Sequence, residues 1–367
     1  MFCALQWVKD ESVEYRYMFT VKPIYFTRSS PDGTINGKKV ETPMQLILHE
    51  ADILGVHWKL VNDSDVVCFT YKEKTLFIRN HTPCTTHSPG SKICANKAST
   101  KAFLKRAGIQ VSNGFTINRQ DDDIYLEKVW NALTKPVVVK PTHGTHGDSV
   151  FMGINSLEDF LSHIHTYFSH SKLEGGLLAE ETFYGKEYRI QMTREKLLAV
   201  IERVPAFVTG DGTHTIEELI EKKNQSPMRN IAEDVYPQIK IDEEVTKNLQ
   251  DQGKEATSVL DVHEHIYLRK ISNVMAGGET IDRTDEIHPS VKKIALRAIQ
   301  SIPGLSWGGI DFMTTDLYKE QNDNTYQIIE VNAAPEFDMH DLPMQGKSRN
   351  VAREFLYLIF PELEKAP

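Results

Sequence analysis

The sequence predicts a mixed α/β or α+β protein, on three observations. Short apolar runs rich in β-branched residues alternate unevenly with segments of helical periodicity. Several of these runs lie close enough in the chain to form hairpins, which a regular doubly wound parallel sheet would not contain. No fixed-period repeat or low-complexity tract interrupts the pattern.

The elements follow in order. Over the first 90 residues LILHEA, DVVCFTY and TLFIRN read as strands among polar, turn-rich stretches. Residues 96–107 read as a helix closed by Gly108, which tolerates the left-handed conformation past a helix end. A strand GFTI, a helix over 121–133 and the β-branched run 136–140 come next. Ser156, with Glu158 and Asp159 behind it, has the chemistry of a helix start. LLAEETF and KEYRIQMT read as two strands of a hairpin that turns around Gly185, and LLAVIERVPAFV continues the strand pattern. Residues 215–224 and 242–252 read as short polar helices. Val291, Ile294, Ala295 and Ala298 have the i, i+3, i+4, i+7 spacing of a buried helical face. WGGIDFMT and YQIIEVN are strands flanking the polar segment 315–324.

Composition bounds the function. The 367 residues carry 42 Lys+Arg against 51 Asp+Glu, a net charge of −9 that argues against a non-specific nucleic-acid surface. An anion such as a nucleotide needs only a local positive cluster. The length predicts two or three domains. No apolar run approaches the ~18 residues of a spanning helix, so no membrane partner is expected. The N-terminal residues lack the pattern of a signal peptide, and Cys3, Cys68, Cys84 and Cys94 form no CxxC pair. A cytoplasmic protein is the expectation.

The sharpest chemical signal is near the C-terminus. Glu330 and Asn332 are two apart in a predicted strand and share a face. If the two strands pair around residue 320, Asp311 falls opposite Glu330. Two carboxylates and an amide oxygen then converge, a hard-oxygen set suited to Mg²⁺, and acids that close repel unless a cation lies between them. Lys140 ends an apolar strand just before THGTHGDS, whose Gly144 and Gly147 let backbone N–H groups approach phosphate, with His143 and His146 in reach. The lysine precedes the glycines, so this is not the GxxxxGK[ST] pattern. Glu180, Glu181 and Phe183 are placed for a nucleotide base, and Glu187 for ribose hydroxyls. Arg203 and Arg269 supply planar forks for phosphate or carboxylate oxygens. His81, Cys84 and His87 have a ligand-like spacing without an evident fourth ligand.

In order, NKASTKAFLKRAGIQV, VVVKPTHGTHGDSV, LLAEETFYGKEYRI, IERVPAFVTGDGTHTIEELIEKKN, YLRKISNVMAGGETID, WGGIDFM and IIEVNAAPEFDMHDLPMQGKSRNV resemble an ATP-grasp ligase. They are most similar to the ATP-grasp portion of cyanophycin synthetase and of bifunctional glutathione synthetase. The resemblance covers residues 91–359 and implies an ATP-grasp fold of two α/β subdomains, 91–180 and 181–367, behind a small α/β domain at 1–90. It implies that Lys97 and Lys140 contact ATP phosphates, with the loop 142–149 over them. Glu180, Glu181 and Phe183 then hold adenine and Glu187 the ribose, while Asp311, Glu330 and Asn332 bind Mg²⁺, normally two ions, with Mn²⁺ as a substitute. Arg203, Arg269 and Asn273 face the γ-phosphate and the acyl phosphate made from it. The turn with Gly277 and Gly278, and the stretch holding Glu336, Asp338 and His340, line the acceptor side. The family pattern usually has glycine at Glu336 and a basic or neutral residue at Asp338, so these acids are expected to select a cationic substrate.

The activity so implied is ATP-dependent carboxylate–amine ligation of amino acids or short peptides, releasing ADP and phosphate. A catalytically silent ATP-binding sensor or assembly protein, and a kinase-like phosphotransferase, are the alternatives. The sequence leaves a homo-oligomer open.

Overall fold

The structure, a computed structural model, describes residues 34–35, 38–61, 65–144, 149–170, 175–232 and 234–364. His146 and Gly147 of the predicted phosphate loop therefore lie outside the described residues.

The chain opens with two-residue strands β1 (Thr34–Ile35) and β2 (Lys38–Lys39) and helix α1 (Thr42–Ile53). An antiparallel sheet follows, made of β3 (His57–Leu60), β4 (Val66–Tyr71) and β5 (Lys74–Arg79). Residues 46–51 thus lie in a helix, where a strand was expected. The run LILHEA is uninformative alone, but Met44, Ile47, Leu48 and Ala51 have i, i+3, i+4, i+7 spacing and are all buried, and a proline starts the helix.

Helices α2 (Ser88–Cys94) and α3 (Lys97–Arg106) come next. The Asn96 side chain caps α3 by accepting from Ser99 N at 2.8 Å. The first large sheet is built from β6 (Gly114–Ile117), β7 (Val137–Pro141), β8 (Phe151–Ile154) and β9 (Leu177–Glu181), in the order β6-β9-β7-β8. Helices α4 (Asp123–Ala132) and α5 (Leu157–His170) cover it, burying Val129, Phe160 and Ile164 against Val137 and Leu177.

Strand β10 (Lys186–Thr193) belongs to a different sheet, in which β14 (Glu279–Asp282), β11 (Leu197–Val204), β10, β15 (Trp307–Thr314) and β16 (Tyr326–Asn332) lie side by side in that order. Its partners are β11 on one side and β15 on the other. Both edges of β10 are occupied, so β9 and β10 are not the hairpin expected from their spacing. Residues 182–185 instead carry the chain from one sheet to the next.

A small body follows, comprising β12 (Phe207–Thr209), α6 (Ile216–Asn224), α7 (Pro227–Ile231), α8 (Glu243–Asp251) and β13 (His265–Tyr267), with its own core around Ile216, Val245, Leu260 and Leu268. The second large sheet is completed by β14 (Glu279–Asp282), by β15 and by β16 (Tyr326–Asn332), and α9 (Pro289–Ser301) packs on it. Helices α10 (Asp338–Asp341) and α11 (Val351–Ile359) close the chain.

Two packings join distant parts of the sequence. Phe355, Leu356 and Phe360 share a core with Ile47 and Phe69. Leu104 of α3 lies in the core of the second large sheet, with Ile190, Ala295 and Phe312, although α3 precedes the first sheet in the chain. Among the described residues no helix is long and apolar enough to cross a membrane.

Candidate active site

The two large sheets face a cleft of ≈ 710 Å³. Strand register places its charged groups. On four adjacent strands Arg203 pairs with Glu187, Arg189 with Asp311, and Asp311 with Glu330. Because i and i+2 share a face, Glu187 with Arg189, and Glu330 with Asn332, point the same way.

These side chains form a connected network. Asp311 accepts from Arg189 Nε at 2.5 Å and lies 2.9 Å from Arg203 Nη2. Arg203 also reaches Glu187, which in turn accepts from the Ser272 hydroxyl. Burial acts to raise the Asp311 pKa, but Arg189 and Arg203 overcome it and hold the carboxyl down at about 2. Asn332 Nδ2 donates to Glu330 Oε1 at 2.9 Å, and Lys97 Nζ lies 3.3 Å from Glu330 Oε2. Lys97 also donates to Gly144 O at 2.8 Å, so α3 ties the loop after β7 to the acidic strand. Gly144 has φ 125°, a conformation glycine adopts without strain.

The opposite wall is organised by Glu180. Its two carboxylate oxygens lie 2.7 Å from Lys101 Nζ and 2.7 Å from Lys140 Nζ, and all three residues are buried. Burial opposes ionisation of Glu180, but the two ammonium groups keep its pKa below the ordinary value. Burial brings Lys101 down to about 8 against the pull of Glu180. Gly114 makes room for this arrangement, since a Cβ there would meet Ala179 O at 2.5 Å and Glu180 Cγ at 2.7 Å. Glu181 turns the other way and accepts from Thr134 N at 3.0 Å and Asn113 Nδ2 at 3.2 Å.

Lys97, Lys140, His143, Gly144, Glu180, Glu181, Phe183, Glu187, Arg203, Arg269, Asn273, Asp311, Glu330, Asn332 and Glu336 all line the cleft. Gly277, Gly278, Asp338 and His340 do not, although Ala276 and Met339 beside them do. Arg269 donates to Ala276 O at 3.0 Å and holds Asp242 and Glu244, joining α8 to the cleft wall. The Asn273 side chain accepts from Met275 N at 2.9 Å and fixes that turn. His340 is fully buried, and burial followed by the nearby Arg189 and Arg203 lowers its pKa to about 3. Asp338 is buried too, and its pKa rises to about 7 through burial and then the charge of Glu336.

Sequence reasoning missed Lys101 and Arg189. Both had a signal: Lys101 lies one helical turn beyond Lys97, and Arg189 two residues beyond Glu187 in a strand. The expected repulsion between Asp311 and Glu330 also needs correction. Arg189, Arg203 and Lys97 compensate the two acids, so their proximity alone does not call for a metal. The donor chemistry still fits one: two carboxylates and an amide oxygen are hard ligands of the kind Mg²⁺ takes. Among the described residues no group of three or more His, Cys, Asp or Glu is placed to hold a metal ion, His81, Cys84 and His87 included.

No protein-family model matches the sequence. The chain is 36% identical over 319 residues to cyanophycin synthetase from Synechocystis sp., covering 86% of this chain and 36% of that protein. It is 31% identical over 327 residues to the glutathione biosynthesis bifunctional protein of Clostridium perfringens, covering 88% and 41%. The crystal structure of a bifunctional glutathione synthetase from Pasteurella multocida superposes with a TM-score of 0.67 at 28% identity, over 88% of this chain and 44% of that one. The fold is ATP-grasp. The ATP-grasp architecture accounts for the two sheets facing one cleft. The chain spans well under half the length of these curated relatives.

Proposed function

We propose that the protein is an ATP-dependent carboxylate–amine ligase, joining amino acids or short peptides through an acyl phosphate. The observation that carries this reading is the gathering of Lys97 and Lys140 with Asp311, Glu330 and Asn332 in the lining of one cleft. Similarity to cyanophycin synthetase and to a glutathione biosynthesis protein supports it. By this reading the chain divides into a leading unit at 1–90 and two grasping units at 91–180 and 181–367, with α3 packed into the second of these. A cytoplasmic setting with small-molecule substrates goes with it.

A carboxylate is a poor acylating agent, and phosphorylation gives it a leaving group. The donor carboxylate attacks the γ-phosphate of ATP, ADP leaves, and an amine then displaces phosphate to form the amide. Asp311, Glu330 and Asn332 are the residues to hold a divalent cation, which supplies charge neutralisation at phosphate oxygens when bound. Lys97 and Lys140 bind phosphates as point charges, and Glu180 orients Lys140. Glu181, Phe183 and Glu187 are the candidates for the nucleoside end; Glu180, expected there with them, has both carboxylate oxygens taken by Lys101 and Lys140. Arg203 and Arg269 stabilise charge on the transferred group, and Asn273 shapes the turn beside it. No side-chain nucleophile is required; positioning and electrostatics do the chemistry.

The test is a phosphate-release screen with ATP, Mg²⁺ and paired amino acids, followed by mass spectrometry. The expected product is one water lighter than its two substrates and carries no phosphate. A phosphorylated product, or no turnover with any pair, overturns the ligase reading.

A further inference from the structure

One end of the cleft is built partly by residues from the leading part of the chain. Glu41, Asn80 and His81 line it with Ala334, Pro335 and Glu336. Asn80 and His81 have φ of 48° and 44°, a left-handed conformation that costs a non-glycine residue on the order of 1–3 kcal/mol and persists where the surroundings enforce it. His81 is held firmly: it is 5% exposed, its ring meets Phe337 edge-on at 6.2 Å, and Nε2 lies 3.2 Å from Ala334 O.

The hydrogen-bond chemistry of this ring is decisive. A carbonyl oxygen only accepts, so Nε2 carries the proton. Burial lowers the ring's pKa, against the charges of Glu41 and Glu336, which favours the neutral form and leaves Nδ1 a lone pair. Nδ1 is buried without a hydrogen-bond partner and stands 3.7 Å from Glu41 Oε2, too far for a hydrogen bond. Two carboxylates and one imidazole lone pair thus face the same region as acceptors. Acceptors gathered this way suit a group that only donates, and a primary ammonium or guanidinium is that group. Asp338, the other acid expected to choose a cationic substrate, does not line the cleft, so the acid standing with Glu336 is Glu41.

We propose that Glu41, His81 and Glu336 form a subsite for a primary ammonium or guanidinium group of the substrate, with Glu41 and Glu336 as specificity determinants. The proposal rests on the ligase reading only for the identity of the rest of the substrate.

Calorimetric titration of the full chain tests it without requiring turnover. The probes are L-lysine, L-arginine, Nα-acetyl-lysine and Nε-acetyl-lysine, each with Mg²⁺ and a non-hydrolysable ATP analogue. Lysine or arginine is expected to bind saturably, and acetylating the amine that enters the subsite weakens lysine about tenfold or more. The two acetylated forms distinguish an α-ammonium from a side-chain one, and arginine distinguishes a guanidinium. Glu41→Gln and Glu336→Gln are expected to erase most of that discrimination while nucleotide binding is unchanged; Glu41 is exposed, so its variant leaves the core intact. His81→Phe keeps the ring packing and removes the lone pair, and is expected to weaken the cation alone. Failure of every charged probe to bind, equal binding of charged and acetylated probes, or wild-type discrimination in both glutamine variants overturns the proposal. Intact discrimination without phosphate release from any amino-acid pair overturns the ligase reading and leaves the subsite standing.

Discussion

Lys140 and Glu180 form an ion pair at 2.7 Å in the wall of the cleft, and Lys101 stands equally close to the other carboxylate oxygen. One buried carboxylate is therefore the shared counter-ion of two buried ammonium groups. Removing it leaves charge without a counter-ion, which is more costly than never having built the pair. Glu180→Gln is expected to destabilise the fold by about 3–5 kcal/mol, read by urea denaturation. Adding Lys101→Met should recover part of the loss, because it removes one unpaired charge. A single-variant cost below about 1 kcal/mol would mean that the pairing carries no such weight.

Arg269 invites the opposite expectation. Its partners Asp242 and Glu244 are about half exposed, at 48% and 58%, so these pairs contribute little stability in water. Its hydrogen bond to Ala276 O, however, sets the cleft wall beside Asn273. Arg269→Met should cost only about 1–2 kcal/mol of stability while lowering ATP-dependent phosphate release roughly 100-fold. A large stability loss with unimpaired turnover would reverse the roles assigned here.

The sequence made the acidic strands legible because their apolar, β-branched runs stop where the strands stop. WGGIDFMT and YQIIEVN span Trp307–Thr314 and Tyr326–Asn332, and the pairing of Asp311 with Glu330 follows from a simple hairpin. Local pattern could not say that β9 and β10 join different sheets, since each looks like the other's neighbour until the rest of both sheets is in place. Nor could it join α1 to α11, whose contact depends on how some 300 intervening residues fold. The buried lysine and arginine partners were missed for a related reason: a charge read alone looks like a solvated face, and only the register across strands brought Arg189 to Asp311.

Asp338 gives a pH prediction with a definite sign. Burial first, then Glu336 and Asp341, raises its folded pKa from the ordinary 3.8 to about 7. Between these values the folded chain holds a proton that the unfolded chain has released, so this group's contribution to stability falls as pH rises from about 4 to 7. Asp338→Asn has no proton to lose. Relative to wild type, the variant should gain stability steadily over that range and no further above pH 7, as measured by urea midpoints at pH 4, 6 and 8. A wild-type-to-variant difference that stays constant with pH would show that the carboxyl titrates normally.

Asp311 gives the most direct test of the acidic strands. Its carboxylate pairs with Arg189 and Arg203 from the protein side and is a hard oxygen donor from the cleft side. Asp311→Asn keeps the shape but removes the charge, so both arginines lose their shared counter-ion and a divalent ion loses a ligand. Turnover should fall on the order of 10²–10³-fold. Nucleotide binding should divide into two parts. Affinity for ATP without metal should hold or increase, because Arg189 loses its carboxylate partner and Arg203 keeps only Glu187, which leaves more positive charge for the phosphates. The increase in affinity that Mg²⁺ brings to the wild type should shrink or vanish. Titrating ATP with and without Mg²⁺ separates these outcomes. A variant whose Mg²⁺-dependent gain equals that of the wild type would place the cation elsewhere than on this pair of strands.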